Sequence, residues 1–272
     1  MGGKALKVLV VFHAEDKRIG IIGAGHLGSR VIEALYEKGH RKIAASRRNS
    51  FELEKISEKY SGVTATTSNA EAAQYSDIIV LAVKPAYVDD VARGIKEYSS
   101  GKLVVSLAAA KSMSGIFSIL GDARIARVMT GVFAGDEVAA YSILSGNGMY
   151  SSDKEMLKYM FGENAVEVGE EILANRIFIA CDTGLTAKAI DDKVKKLAEH
   201  GMNAKDANVF YAAMLESIAK NLRKGMTGSE IYENVAGPNS FTEKIYGIYR
   251  EKGLVDVVNE CIDMTIEKCR QK

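Results

Sequence analysis

The chain has 272 residues, 47% of them apolar and 26% charged, with a net charge of +1. This is a globular composition, long enough for one large domain or two smaller ones, and without the basic excess that draws a nucleic acid. Three cysteines without Cys-x-x-Cys spacing and four scattered histidines make neither a disulfide framework nor a metal-ligand set, so a reducing, cytoplasmic setting and no bound metal are expected.

Residues 1–17 form an N-terminal extension ahead of the first patterned element. Their run Val8-Leu9-Val10-Val11-Phe12 is too short to span a bilayer, and no small-residue cleavage site follows it, so neither a membrane anchor nor a signal peptide is expected. Gly2 suits myristoylation only with Ser or Thr at position 6, where Leu6 stands. The extension reads as an added edge strand or as loose chain; its residues do not decide between them.

From Arg18 the sequence runs Ile-Gly-Ile-Ile-Gly-Ala-Gly-His-Leu-Gly28, an apolar stretch feeding Gly-x-Gly-x-x-Gly. Dinucleotide-binding folds use this strand, tight turn and helix start to seat a pyrophosphate. Gly23 permits the turn, Gly25 lets backbone approach the phosphates, and Gly28 lets the helix pack on the strand. Ile19, Ile21 and Ile22 suit a buried parallel strand, and Val31, Ile32, Leu35 and Tyr36 fall on one helical face. Ala24, His26 and Leu27 complete the loop, with His26 packing near the phosphates.

Further strands are predicted at 42–45, 77–83, 103–107, 125–129 and 141–144, separated by helical patterns near 26–38, 51–60, 69–75, 86–98 and 112–119. This alternation predicts a doubly wound parallel sheet with helices on both faces. Ligands bind such sheets beyond the carboxyl ends of the strands, where Gly23, Ser46, Lys84 and Ala108 each follow a predicted strand. At the end of the second strand stand Ser46, Arg47 and Arg48, where an acidic residue would select NAD. A hydroxyl and two guanidinium groups suit a 2′-phosphate instead, so NADP is the expected cofactor. After an apolar segment at 165–168 the pattern turns helical over 171–200, 203–224, 228–236, 239–252 and 254–270, punctuated by Gly201, Gly225, Gly237 and Gly253. So few helices bury little alone, which makes this half a candidate for dimerisation.

Several stretches now fall in one order: Ser46-Arg47, Ser68-Asn69-Ala70-Glu71-Ala72, Leu81-Ala82-Val83-Lys84-Pro85, Val105-Ser106-Leu107-Ala108-Ala109 and Ile125-Ala126-Arg127-Val128-Met129. With the glycine motif, this series resembles the pyrroline-5-carboxylate reductase family from residue 18 to the end. The resemblance implies an α/β fold, with a Rossmann-type NADP-binding domain over 18–169 and an all-helical dimerisation and substrate domain over 170–272. It also implies a homodimer or larger homo-oligomer, and reduction of a cyclic imine to proline. It places Gly23 to Gly28 at the pyrophosphate, Ser46 and Arg47 at the 2′-phosphate, and Asn69 at the adenosine end. Ala82, Val83, Lys84 and Pro85 fall beside the nicotinamide ribose, and Ala108 with Ala109 border the nicotinamide. Pro85 equally suits the first position of a helix.

The helical half departs from the family's signatures. In place of Ser-Pro-Gly-Gly-Thr-Thr the chain has Gly237-Pro238-Asn239-Ser240-Phe241-Thr242, keeping Thr242 for the substrate and, upstream, Asn234 for the cofactor. Ser-Gly-Ser-Gly-Pro-Ala is replaced by Ala180-Cys181-Asp182-Thr183-Gly184-Leu185-Thr186-Ala187, which puts Asp182 and Thr183 among the candidate substrate residues. Asp182 equally suits a helix cap or a solvated surface. Met-Pro-Asn-Thr-Pro becomes Met129-Thr130-Gly131-Val132-Phe133, and Glu170 with Glu171 read as an ordinary solvated first turn. The altered residues cluster on the substrate side, so three readings stand. They are the same reaction through other contacts, a different small imine or carbonyl substrate, and a non-catalytic NADP-binding sensor or scaffold. Ser46-Arg47-Arg48 also resembles F420-dependent NADP reductases, which are shorter and lack the helical half.

Overall fold

A computed structural model describes residues 13–131, 139–144, 146 and 148–270. The apolar run at 8–12 lies outside the described residues, as do Val132 and Phe133. Eight strands form one sheet: β1 (Ile19–Ile22), β2 (Ile43–Ser46), β3 (Thr64–Thr66), β4 (Ile78–Leu81), β5 (Leu103–Ser106), β6 (Arg124–Met129), β7 (Ala140–Ile143) and β8 (Val166–Glu167). Their order is β3-β2-β1-β4-β5-β6-β7-β8. The chain winds outward from β1 to β3, then returns to the other side of β1 as β4, with Ile21 flanked by Ala45 and Val80. The crevice at that reversal is where such sheets hold ligands.

The connecting helices are α1 (His26–Glu37), α2 (Ser50–Lys59), α3 (Asn69–Tyr75), α4 (Val88–Ile95), α5 (Met113–Leu120) and α6 (Ser151–Phe161). Because side chains alternate along a strand, the central sheet feeds two cores. Ile19, Ile21, Ile43 and Val80 pack with Val31, Ile32 and Leu35 of α1, Ile56 of α2 and Leu157 of α6. Ile22, Ala44, Ile79 and Leu81 pack on the opposite face with Ala72 of α3, Ile95 of α4 and Ile116 of α5. Asn49, Ser68 and Ser112 start α2, α3 and α5 by accepting the backbone N–H three residues on.

The structure differs from the sequence expectation in three places here. The expected elements include neither β3, a short and largely uncovered edge strand, nor α6. The sheet is not wholly parallel, since β7 runs antiparallel to β6 with Val128 opposite Tyr141. Met129 and Ala140 bound a connection shorter than the dozen or so residues a parallel crossover takes.

The remaining helices are α7 (Leu173–Glu199), α8 (Ala204–Arg223), α9 (Gly228–Glu233), α10 (Phe241–Glu251) and α11 (Leu254–Arg270). The chain forms two compact units: one reaches Ala180 and takes up the chain again at Ile266, and the other is Cys181–Thr265. In the second unit Asn203, Thr227 and Ser240 cap α8, α9 and α10, and the Tyr232 and Tyr246 rings meet at 5.2 Å. Among its described residues only Val194 and Ala207 are buried, while Phe210, Phe241 and Val257 stay exposed. No helix among the described residues is long and apolar enough to cross a membrane.

Candidate active site

The β1–α1 turn is built for close approach. Gly23 and Ala24 both donate their N–H to the Ser46 carbonyl, at 3.0 and 2.8 Å, which ties the turn to the end of β2. Gly23 has φ +94°, and a Cβ there would meet Val83 Cγ1 at 2.6 Å. A Cβ on Gly28 would run into the Gly23 carbonyl oxygen. At Gly25, by contrast, a Cβ would find no neighbour nearer than that carbonyl at 4.0 Å, so this face of the turn is open. Gly25 is also the N-cap of α1, and no side chain caps the helix. Its first N–H groups therefore remain for an anion, and a dinucleotide pyrophosphate fits the turn. His26 is exposed at the first position of α1, while Leu27 packs partly against the core.

Beside this turn, Ser46 is fully buried and its hydroxyl donates to Asn69 Oδ1 at 2.8 Å. Arg47 reaches back so that Nη1 donates to the Ala24 carbonyl at 3.1 Å. Arg48 lies over the Tyr87 ring, 4.9 Å from its centroid. Ala82 donates its N–H to the Ile22 carbonyl at 2.8 Å, which carries Val83 and Lys84 past the glycine turn. Pro85 opens a single 3-10 turn, Pro85–Tyr87, ahead of α4. Across from it, Lys111 pairs with Asp89 at 2.6 Å.

After β5 come Ala108 and Ala109, held by a residue to which the sequence reading gives no role. Arg127, on β6, is buried, and its Nε donates to the Ala108 carbonyl at 3.2 Å. Its Nη2 donates to the Ala109 carbonyl, and Nη1 to Glu170 Oε1 at 3.1 Å. The same carboxylate oxygen accepts the Met113 N–H at 2.8 Å. Glu170 is thus no ordinary solvated turn residue: a guanidinium that lost its water on burial needs a carboxylate partner, and Glu170 supplies it. Glu171 is exposed. The available signal was Arg127 itself, a charge inside the otherwise apolar Ile125–Met129 run.

The substrate-side candidates lie in the second unit, as does Asn234, expected at the cofactor. Asp182 is exposed within α7 and Thr183 beside it is half-buried. Asn234 ends α9 as its C-cap, and Thr242 is half-buried in the first turn of α10. Asn239, which stands for a signature glycine, has φ 63° and is the one non-glycine residue described with a positive φ. Its N–H donates to Glu243 Oε2 at 2.7 Å, so the turn keeps a left-handed backbone without glycine.

Comparison with known proteins places these features in a family. The family model described as NADP oxidoreductase, coenzyme F420-dependent, matches residues 18–110. The pyrroline-5-carboxylate reductase of Methanosarcina acetivorans is 30% identical over 250 residues, 86% of this chain and 89% of that protein. The crystal structure of the Plasmodium falciparum pyrroline carboxylate reductase with NADP bound has the same fold, with a TM-score of 0.82 at 18% identity, covering 94% of this chain and 98% of that one. The Streptococcus pyogenes 1-pyrroline-5-carboxylate reductase gives 0.81 at 18% identity, covering 94% and 99%. The chain belongs to the pyrroline-5-carboxylate reductase family and is an NAD(P)-dependent oxidoreductase acting on a small molecule.

Proposed function

We propose that the enzyme reduces the ring C=N bond of pyrroline-5-carboxylate to give proline, with NADPH as donor, in the cytoplasm. The observation that carries this reading is the likeness to the Methanosarcina acetivorans enzyme over most of both chains. NADPH, when bound, supplies the hydride. Gly23 to Gly28 would seat its pyrophosphate and Ser46, Arg47 and Arg48 its 2′-phosphate end, with Asn69 near the adenosine. Ala82 to Pro85 and the Ala108–Ala109 loop would flank the ribose and nicotinamide, with Asn234 a further cofactor contact. Thr242 would hydrogen-bond the imine nitrogen or the carboxylate, with Asp182 and Thr183 as further substrate-side candidates. A protonated imine is already electrophilic, so the chain needs no strong general acid; its work is to orient two rings and exclude water.

Steady-state assays of NADPH oxidation test the substrate, with pyrroline-5-carboxylate first, then other cyclic imines and ketones. Turnover of pyrroline-5-carboxylate at about 1–1000 per second is expected. Faster turnover of another imine or carbonyl would replace the substrate, and NADPH binding with no turnover on any of them would favour a sensor or scaffold. Replacing Arg47 and Arg48 by Ala should raise KM for NADPH well above that for NADH; an unmoved ratio rejects NADP.

The second unit we read as a homodimerisation domain, because its helices leave Phe210, Phe241 and Val257 uncovered. Light scattering at micromolar concentration should give twice the chain mass or more, and a monomer there would count against it.

A further inference from the structure

Position 46 is where sequence reasoning looks for an acid and finds none; the fold supplies one from six residues further on. The Asn49 side chain accepts the Glu52 N–H at 3.2 Å, which fixes Glu52 in the first turn of α2. From there Glu52 Oε2 stands 3.4 Å from Arg47 Nη1, and Oε1 accepts from Lys55 Nζ at 2.9 Å. Both groups line an open cleft of about 430 Å³ that begins at Gly25 and His26 in the pyrophosphate turn. The other carboxylate in the cleft, Glu33, is taken up by Lys59 and Arg30 at 2.7 and 2.6 Å, and these hold its pKa down to about 2. Ser46 is buried against Asn69, and Arg48 is stacked on Tyr87. That leaves Arg47 and Lys55 as the cations for a 2′-phosphate in this cleft, and both are shared with Glu52.

We propose that Glu52 sets the cofactor preference of this enzyme, competing with the 2′-phosphate of NADP for Arg47 and offering a carboxylate to the 2′-hydroxyl of NAD. A carboxylate at that distance from the guanidinium attracts it, and it repels an arriving phosphate dianion. Discrimination then comes from repulsion as much as from contact. The proposal rests on the reading of Arg47 as a 2′-phosphate ligand.

The test uses the full-length protein and two nicotinamide-free probes, adenosine 2′,5′-bisphosphate and 5′-AMP, titrated by calorimetry alongside kcat/KM for NADPH and NADH. Glu52→Gln should tighten the bisphosphate and raise the NADPH-to-NADH ratio by about tenfold, with no tightening of 5′-AMP. Glu54→Gln removes the same charge from the exposed side of α2 and should leave both unchanged. Arg47→Ala should lower the ratio and shrink the effect of Glu52→Gln, the part that remains being that of Lys55. If the ratio moves in Arg47→Ala but not in Glu52→Gln, or if Glu54→Gln moves it equally, the proposal is overturned. If Arg47→Ala alone moves nothing, the 2′-phosphate reading fails and the proposal fails with it.

Discussion

Gly28 and Gly25 stand three residues apart, and substitution should separate what they do. A methyl group on Gly28 runs into the Gly23 carbonyl, so α1 must lift away from the turn. Gly28→Ala should therefore lower the melting temperature and weaken NADPH together. A methyl on Gly25 meets open space on the protein side, so Gly25→Ala should fold normally and lose about tenfold or more in NADPH affinity, through the ligand alone. Thermal melts beside fluorescence titration distinguish the two, and equal loss of stability in both variants would refute the division. The glycine spacing was readable in the chain because a tight turn, a close approach and a helix contact each exclude a side chain. Glu52 was not, since its closeness to Arg47 depends on the path of the connection between β2 and α2.

At the scale of elements, Arg127 fastens three segments: β6 on which it stands, the Ala108–Ala109 loop after β5, and the turn carrying Glu170. Arg127→Met removes the charge and leaves the Glu170 carboxylate and two carbonyls short of a donor. Breaking a buried pair from one side costs about 3 kcal/mol, so urea unfolding should show a loss of that order, with Glu170→Gln losing less. An Arg127→Met protein of unchanged stability would show that the network is not holding the loop. Most elements were legible from the alternation of strand and helix patterns. The antiparallel β7 was not, because direction depends on the length of a connection rather than on side-chain pattern. α6 was legible as well: Met156, Leu157, Met160 and Phe161 recur at helical spacing and form one buried face.

Across the whole molecule, stability should depend on pH through His40, buried where the α1–β2 connection meets Tyr159 of α6 at 3.2 Å. Burial lowers its pKa below the ordinary 6.5. The unfolded chain thus takes a proton as pH falls through about 6.5 while the folded chain refuses it, so stability is full above that value and declines below it. Urea unfolding at pH 7.5 and 5.5 should show this loss, and His40→Gln should reduce it; an equal decline in the variant would assign the effect elsewhere. The carboxylates held low by basic partners, such as Asp77 beside Arg18, act in a more acid range.

By itself the sequence determined the nucleotide-binding class of this protein: apolar strands, a glycine turn and helices in alternation admit few ways to bury their faces. The family resemblance followed from the order of short motifs along the same chain. Only the tertiary structure decided which charges meet. Arg127 reaches Glu170 from a strand 43 residues away, and Arg47 reaches Glu52 from the connection ahead of α2; the sequence lists these charges, and the folded backbone decides that they meet.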